Sequence, residues 1–224
     1  MAFLTPTQQQ LLGTGEFHLS SVSGRHQLSH ETKRAFVALQ DAAKEAGFDL
    51  QLVSSFRSFD RQLAIWNNKF LGKRPVLDMD HCKVDMASLN DEEKIHAIML
   101  YSALPGASRH HWGTDFDYFD ANEIRLDQID LTADEYEDED SPCFGLKCWL
   151  EENAESFGFF FPYAAYAGGI AAEPWHLSFK AEAERINKEF TPELLNMWLA
   201  AQAIEGKQTI LDNLPSLFER YMAI

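Results

Sequence analysis

Apolar residues return at helical spacing in the region that follows residue 29. The positions concerned are Ala35, Phe36, Leu39, Ala43 and Ala46. Ser29 stands just before the pattern, where a hydroxyl can accept a hydrogen bond from the start of a helix, and Gly47 stands just after it. The pattern therefore predicts a helix over residues 30–46.

An alternation of apolar and polar residues comes next and then gives way to a second helical pattern. Phe48, Leu50 and Leu52 alternate with their neighbours, which is typical of a strand with one buried face. Leucine and aromatic residues then share one face from Phe59 to Phe70, and Gly72 ends that helix. The sequence thus predicts a strand that leads through a polar turn into a helix.

Helical patterns also occur later in the chain. Asn90 and Glu93 have the spacing of a capping box, which opens a helix over residues 91–103. A further helix is predicted to end near Gly158 and to pass into a strand. Residues 181–224 have the pattern of two or three amphipathic helices.

Three segments lack a periodic apolar pattern. Residues 1–28 are predicted to be irregular, the acidic stretch 130–140 to be a solvated loop, and the small residues of 163–172 to form a loop beside a site. We therefore expect one main domain over residues 29–180, with residues 181–224 as a helical extension packed on the same domain.

The composition allows one full hydrophobic core and excludes several classes of partner. Of 224 residues, 46% are hydrophobic, and the formal net charge is −16. A chain this acidic repels nucleic acid unless it carries a basic patch, and the sequence shows none. The 3 cysteines provide no disulfide framework. No run approaches the roughly 20 apolar residues that span a membrane.

The amino terminus shows no basic region followed by an apolar run, so we expect no signal peptide. The expected localisation is therefore unknown: cytoplasmic by default, or periplasmic if a leader has been trimmed. The sequence predicts no oligomeric state.

Histidines and acids stand together around Gly113. The helical zinc signature His-Glu-x-x-His is absent, because Arg34 stands where its second histidine is required. Metal ligands would therefore come from separate segments. His110 lies before Gly113, and Asp117 lies after it in a strand-like pattern. Because glycine permits a bend, the two side chains can converge on a metal, and a plain hydrogen-bonded pair is the alternative.

Two other segments offer chemistry. The run Glu-Pro-Trp-His combines a candidate general base, Glu173, with a candidate ligand, His176. The alternative here is a short strand with a hydrogen-bonded histidine and a surface acid. Arg57, where a strand turns into a helix, can present a forked donor to a carboxylate or an oxyanion. Its alternative is a structural salt bridge, for example with Asp60.

The three segments together resemble the VanY-type D-alanyl-D-alanine carboxypeptidase family. They read S-x-x-R-S-x-x-x-Q, S-x-H-x-x-G-x-x-x-D and E-x-W-H, in this order, and the resemblance covers roughly residues 30–180. That family belongs to the LAS group of zinc metallopeptidases. The resemblance implies an α+β fold, in which a small, mainly antiparallel sheet carries a zinc site and is flanked by helices, as in the LAS and hedgehog-like metallopeptidases. Residues 29–180 would form the zinc metallopeptidase domain.

The resemblance also implies roles for individual residues. The implied zinc ligands are His110, Asp117 and His176. Glu173 is implied as the catalytic base, and Arg57 is implied to contact the substrate or the developing oxyanion. The implied substrate-binding residues are Ser108, Gln62, Asp115 and Trp175. Many relatives have a small residue at the position of Asp115, which could support a histidine ligand instead. The family pattern passes over His111.

The function implied is a zinc-dependent peptidase in which Glu173 activates water and C-terminal D-Ala is removed from peptidoglycan-type peptides. An endolysin-like peptidoglycan endopeptidase is the alternative within the enzymes. A non-catalytic, zinc-stabilised binding protein of the same fold is the alternative from another class. The presence of Glu173 and Arg57 argues against that last alternative.

Overall fold

The computed structural model describes residues 4–222 and shows a small antiparallel sheet, a separate hairpin and several helices. The strands are β1 Leu19–Ser23, β2 His26–Ser29, β3 Leu50–Ser54, β4 Asp115–Asp120, β5 Phe159–Phe160 and β6 His176–Phe179. The hairpin pairs β1 with β2, and the four-stranded sheet has the order β3-β4-β6-β5. Every pair is antiparallel, so the predicted α+β class with an antiparallel sheet is confirmed.

The α-helices of the described residues lie before, between and after these strands in the sequence. They are α1 Pro6–Leu11, α2 His30–Glu45, α3 Phe59–Phe70, α4 Asp91–Met99, α5 Asp134–Glu137, α6 Phe144–Asn153, α7 Lys180–Asn187, α8 Pro192–Ala200 and α9 Lys207–Tyr221. Short 3-10 helices cover Arg109–Trp112 and Ala154–Phe157. None of the helices within residues 4–222 has both the length and the apolar character that crossing a bilayer requires.

Two hydrophobic clusters hold these elements together. The sheet packs on α2 and α6, with Phe36, Phe116 and Leu150 fully buried between them. A second cluster joins α1, α3 and α4 to the helices of residues 181–222, and its members include Trp66 and Leu195. Burial of such side chains typically stabilises a fold by about 1.5–3 kcal/mol each. The predicted C-terminal helices exist, and they share a core with α3.

The predicted helix over 30–46 is confirmed as α2, and its local signals act as expected. The Ser29 hydroxyl accepts a hydrogen bond from the Thr32 backbone N–H, which caps the first turn. Phe36 and Leu39 on its apolar face have no solvent exposure. The capping-box helix predicted over 91–103 is also present, but it ends earlier, at Met99.

The prediction that residues 1–28 are irregular was wrong for residues 4–28, and residues 1–3 lie outside the described part of the chain. Thr5 and Gln8 form a capping box around Pro6 and start α1, and the hairpin of β1 and β2 follows. The hairpin strand β1 is rich in serine, so it carries no apolar alternation that a sequence pattern could detect. Its order comes from pairing with β2, which is a tertiary effect.

The acidic stretch 130–140 was predicted to be a solvated loop, and part of it is anchored instead. Tyr136 on α5 is fully buried, and its hydroxyl donates a hydrogen bond of 2.5 Å to the carbonyl of Tyr118 on β4. A single aromatic residue among acids therefore fixes this stretch against the sheet. Residues 163–172 contain no helix or strand, as predicted.

Candidate metal centre and catalytic cleft

Three predicted ligands converge at one end of the sheet. His110 lies in the 3-10 helix before β4, Asp117 lies on β4, and His176 is the first residue of β6. The antiparallel register places Asp117 directly opposite His176. One ligand atom from each of the three residues lies within 4.8 Å of the others. The fold therefore brings together residues that are up to 66 positions apart in sequence.

The bend at Gly113 allows His110 to reach Asp117. Gly113 has φ +74°, and a Cβ atom there would lie 2.7 Å from the Leu19 side chain and 3.1 Å from the Ser29 backbone nitrogen. A larger residue would therefore be both strained and too close to the hairpin. With the bend in place, His110 Nε2 lies 3.4 Å from Asp117 Oδ2.

Hydrogen bonds orient both imidazole rings toward the centre. His110 Nδ1 lies 3.0 Å from the Ser55 carbonyl, which leaves Nε2 facing Asp117. His176 Nε2 lies 3.0 Å from Asp115 Oδ1, which leaves Nδ1 facing Asp117 at 3.1 Å. Carbonyl and carboxylate partners on the far nitrogen are the usual support of metal-binding histidines.

The residues present fit a zinc ion. His176 Nδ1 and Asp117 Oδ1 are buried and make no hydrogen bond within residues 4–222, although they face each other. Such atoms are costly to bury without a partner, and a cation between them would satisfy both. Two imidazoles and one carboxylate are a donor set of catalytic zinc sites, which keep a further position open.

Electrostatics favour charge on the donor side. Burial alone would raise the pKa of Asp117, but His110 and His176 hold it well below its ordinary value. Burial would also lower the pKa of His176, but the carboxylates of Asp115 and Asp117 raise it to about 10. A metal ion therefore has to displace a proton from His176 when it binds.

Glu173 lies beside the donor triad without being part of it. Its carboxylate Oε2 is 3.5 Å from His176 Nδ1, and its side chain lines the cleft. Its backbone N–H donates to the Tyr163 carbonyl at 2.9 Å, and its carbonyl accepts from His176 N–H at 3.0 Å. Burial raises the pKa of Glu173 to about 8, against the opposing charges of His176 and Arg57. This is the position of a group that can exchange a proton near the metal.

Arg57 presents its guanidinium to the same cleft. Its Nη1 donates to Gln62 Oε1 at 2.9 Å and its Nη2 donates to Ser54 Oγ at 3.0 Å, while Nε is buried without a partner. No carboxylate of residues 4–222 lies within the 4.0 Å of a salt bridge, so the alternative of an ion pair with Asp60 is not found. The Arg57 backbone N–H donates to the His110 carbonyl at 3.1 Å, which ties it to the metal centre.

Two of the predicted substrate-binding residues do not face the cleft. Gln62 is fully buried, with its carbonyl oxygen on Arg57 and its amide nitrogen on the Ala103 carbonyl at 2.6 Å. Both ends of its amide are thus bonded within the protein, and the predicted substrate contact of Gln62 stays a prediction. Ser108 and Trp175 line the cleft, and their contact with a substrate stays a prediction.

Asp115 is also fully buried and lies outside the cleft lining, and its predicted substrate contact stays a prediction. It accepts hydrogen bonds from Arg109 Nε at 2.7 Å and Thr114, and it lies against His176. The Arg109 guanidinium packs over the Trp112 ring at 4.7 Å and donates to Ser178 Oγ at 2.6 Å. The carboxylate of Asp115 therefore fixes the orientation of the His176 ring, and its support of a metal ligand stays a prediction.

His111 has a structural role that the motif did not indicate. Its Nδ1 lies 2.5 Å from the Arg57 carbonyl, and its Nε2 accepts from the Gly106 N–H at 3.1 Å. Burial lowers the pKa of His111 to about 3, so the ring is neutral and Nδ1 is the donor. His111 thus joins the segment of the metal donors to the segment of Arg57.

The cleft has a volume of about 490 Å³ and opens from the metal centre. Besides the donor residues and Glu173, its lining includes Tyr163, Lys69, Arg74, His81 and Leu131. Within residues 4–222, the non-glycine residues with positive φ are His81 and Leu131, both at 55°. Backbone of this kind concentrates at functional sites.

Comparison with protein families decides the relationship. A family model described as VanY, D-alanyl-D-alanine carboxypeptidase, matches residues 25–182. The chain belongs to the VanY family. A Haemophilus influenzae protein described as uncharacterised is 41% identical over 102 residues, which span 44% of this chain and 70% of that protein. The VanY match contains every predicted ligand, Glu173 and Arg57.

Two solved structures share the fold of this VanY-family chain. One is a Glu-to-Ala mutant of the vancomycin-resistance D,D-pentapeptidase VanY from a VanB-type cassette, in complex with Zn(II). It has a TM-score of 0.52 and 21% identity, over 75% of this chain and 82% of that chain. The other is VanYB in complex with D-alanine-D-alanine, with a TM-score of 0.54 and 19% identity, over 82% and 88%. At these identities the likeness shows the fold.

Some residues that line the cleft lie outside the three motif segments and were not predicted from the sequence. Tyr163 packs edge-on against His176, with ring centroids 5.0 Å apart, and it comes from the segment predicted as a loop beside a site. Lys69 and Arg74 come from the end of α3 and the loop after it. Lys69 stands seven residues after Gln62 on α3, and residues at this spacing share a helix face. This spacing is the signal in the sequence that could have pointed to Lys69.

Proposed function

We propose that this protein is a zinc-dependent D,D-carboxypeptidase that removes C-terminal D-Ala from peptidoglycan-type peptides. The observation that carries the proposal is the arrangement at the metal centre. Three buried donors converge, Glu173 lies beside them, and Arg57 faces the same cleft. Membership of the VanY family supports the substrate class. Neighbours of the same fold that were solved with Zn(II) and with D-alanine-D-alanine support it too.

The proposed roles follow from where each group lies. His110, Asp117 and His176 would hold zinc, which supplies Lewis acidity and makes water acidic enough to deprotonate near neutral pH. The Glu173 carboxylate accepts a proton as water attacks the peptide carbonyl, and it returns the proton to the leaving amine. The Arg57 guanidinium stabilises the oxyanion: Gln62 and Ser54 hold its two Nη groups in place, and its Nε–H has no partner within the protein.

Buried groups orient the residues around the metal centre. Asp115 fixes the ring of His176, and Arg109 supplies a charge that keeps Asp115 ionised and holds its pKa well below the ordinary value. Tyr163, Trp175 and Ser108 line the space beside Glu173, where a peptide would lie. Burial of these polar groups excludes water and strengthens their electrostatic interactions with a reacting group.

The test is hydrolysis of a defined peptide by the purified zinc-loaded protein. A stem peptide that ends in L-Lys-D-Ala-D-Ala should lose a single D-Ala, measured by mass spectrometry, and a chelator should stop the loss until zinc is restored. Cleavage inside the stem peptide would make the protein an endopeptidase instead. If the protein binds zinc but cleaves no bond of the peptide, the enzyme proposal fails. The alternative of a zinc-stabilised binding protein is then supported.

A further inference from the structure

Basic side chains line part of the cleft, and two of them, Lys69 and Arg74, have no role in the proposed metal chemistry. Arg57, Lys69, Arg74 and His81 all line it, and all come from the segment 57–81. This segment is here called the basic segment. The whole chain carries a formal charge of −16, with 35 acidic residues against 19 basic ones. The acids Asp117, Asp130 and Glu173 line the same cleft, but none of them forms a salt bridge with Lys69 or Arg74.

Lys69 is half-buried in the cleft, on the face of α3 that also carries Gln62. Its Nζ donates a hydrogen bond of 2.6 Å to Ser102 Oγ, which leaves two ammonium donors for another partner. No salt bridge joins Lys69 to a carboxylate of residues 4–222. Burial and the charges of Arg57 and Arg74 lower the pKa of Lys69 to about 8, against the opposing charge of Glu173.

The chain turn after α3 brings Arg74 to the same space. Gly72 adopts φ +67° and ends the helix, and the backbone N–H groups of Lys73 and Arg74 both donate to the Asn68 carbonyl, at 2.8 Å and 3.1 Å. The loop is therefore folded back on the helix end. Within the described part of the chain, Arg74 also has no carboxylate at salt-bridge distance.

A cation that is partly desolvated and surrounded by other cations is destabilised unless an anion approaches it. The chain does pair other bases, as with Lys147 and Glu151 at 2.9 Å and Arg125 and Asp127 at 2.9 Å. The chain has 35 acidic residues, so a shortage of carboxylates does not explain why Lys69 lacks an ion-pair partner. A carboxylate from outside the chain would supply the partner that Lys69 lacks, and Arg74 lines the same cleft.

We propose that Lys69 and Arg74 form a carboxylate-binding subsite that selects acidic peptides as substrates. The inference rests on the proposed peptidase function, and it names two specificity-determining residues for that reaction. The carboxylate comes either from the C-terminus of the peptide or from an acidic side chain within it. Both sources present the same chemistry to the two cations, and substrates that lack one carboxylate or the other distinguish them.

The experiment compares two peptides that both end in D-Ala. One has Glu and the other has Gln at the residue immediately before the D-Ala residues, and they are otherwise identical. Lys69→Met and Arg74→Met should each raise KM for the Glu peptide about tenfold with little change in kcat, the loss expected for one charge-assisted hydrogen bond. Lys69→Arg should restore most of it. The matched control is Lys73→Met, which removes the same charge from an exposed position outside the cleft.

The pattern of KM values assigns the source of the carboxylate. A rise for the Glu peptide alone identifies the side chain, whereas an equal rise for both peptides identifies the C-terminal carboxylate. In the second case, C-terminal amidation should weaken binding to the wild-type protein and leave Lys69→Met unaffected. Unchanged KM values in both cleft variants, or equal changes in Lys73→Met, would overturn the subsite.

Equilibrium binding separates this inference from the proposed function. The same peptides are titrated calorimetrically into the zinc-loaded Glu173→Gln protein, with and without the Lys69→Met change, so that no turnover is needed. If the wild type hydrolyses nothing, the peptidase proposal fails, yet a charge-dependent loss of affinity would still support the subsite. If Lys69→Met melts early, Arg74→Met decides, because Arg74 is exposed and packs in no core. Equal affinity for charged and neutral peptides in all proteins would contradict the inference.

Discussion

The two sides of the cleft differ in how far the protein satisfies their charges. On the donor side, formed by residues 108–117 and 173–178, the charged side chains lie within ion-pair distance of one another, and two atoms without a hydrogen bond, His176 Nδ1 and Asp117 Oδ1, face each other. Asp115, for example, contacts Arg109, Thr114 and His176. On the side of the basic segment 57–81, Lys69 and Arg74 have no ion-pair partner within residues 4–222. The donor side is thus preorganised for an ion, and the basic side is left to be completed by a ligand.

The donor side places its residues on rigid elements. Asp117 and His176 lie opposite each other in the register of β4 and β6, so the backbone sets their separation. The basic side places Arg57 at a helix start and Arg74 in a loop. A metal needs fixed ligand geometry, whereas a flexible peptide tolerates long cationic side chains that adjust to it. The difference predicts that changes on the two sides will have different kinds of effect.

The largest effect should come from removing a donor. Asp117→Ala leaves too few protein ligands for a catalytic zinc site, so bound zinc should fall sharply and hydrolysis should be lost. Metal content per chain, measured by elemental analysis after dialysis, is the readout. His81→Ala is the matched control, because His81 lines the cleft outside the donor triad and should leave zinc bound. Full zinc occupancy in Asp117→Ala would disprove the assignment of this ligand.

The next effect should come from Glu173→Gln. We expect zinc to stay bound and kcat to fall by about 10²–10⁴, the usual contribution of a general base. Metal content and steady-state kinetics on the same preparation check this, with exposed Glu184→Gln as the control of the same chemistry. Near-normal turnover would remove Glu173 from the mechanism, and lost zinc would make it a ligand.

A third change tests the link between the two sides. His111→Ala removes the ring that joins the Arg57 carbonyl to the Gly106 N–H and leaves both groups buried and unpaired. We expect a loss of about 2–4 kcal/mol in the free energy of unfolding, from the unpaired groups and the cavity. Urea unfolding of the zinc-free protein measures it, against His81→Ala. Equal free energies of unfolding for the two variants would show that the hydrogen bonds of His111 do not stabilise the fold by this amount.

The smallest effect should come from Arg57→Lys on the basic side. The ammonium keeps the charge but loses the fork that Gln62 and Ser54 hold, so kcat should fall about 10- to 100-fold with a smaller change in KM. Kinetics on the D-Ala-terminated peptide decide this. A rise in KM with unchanged kcat would mean that Arg57 binds the ground state. No change in either constant would leave Arg57 without a role in the reaction.

The sequence alone determined the candidates for the donor side. The residues alone left hydrogen-bonded alternatives open, and the resemblance of three short segments to the VanY family named His110, Asp117, His176 and Glu173 before their positions were known. The main helices could be predicted too, because caps and apolar spacing are local signals, as Ser29 shows at the start of α2.

Only the tertiary structure decided which polar residues reach the cleft. Gln62 is a motif residue and Asp115 lies inside a motif segment, yet both are buried and hydrogen-bonded to residues 41 and 61 positions away. Lys69 and Arg74 belong to no motif and yet line the cleft. Local sequence records the type of a side chain, whereas burial depends on packing between distant segments. For that reason the charge pattern of this cleft could be seen only once the chain was folded.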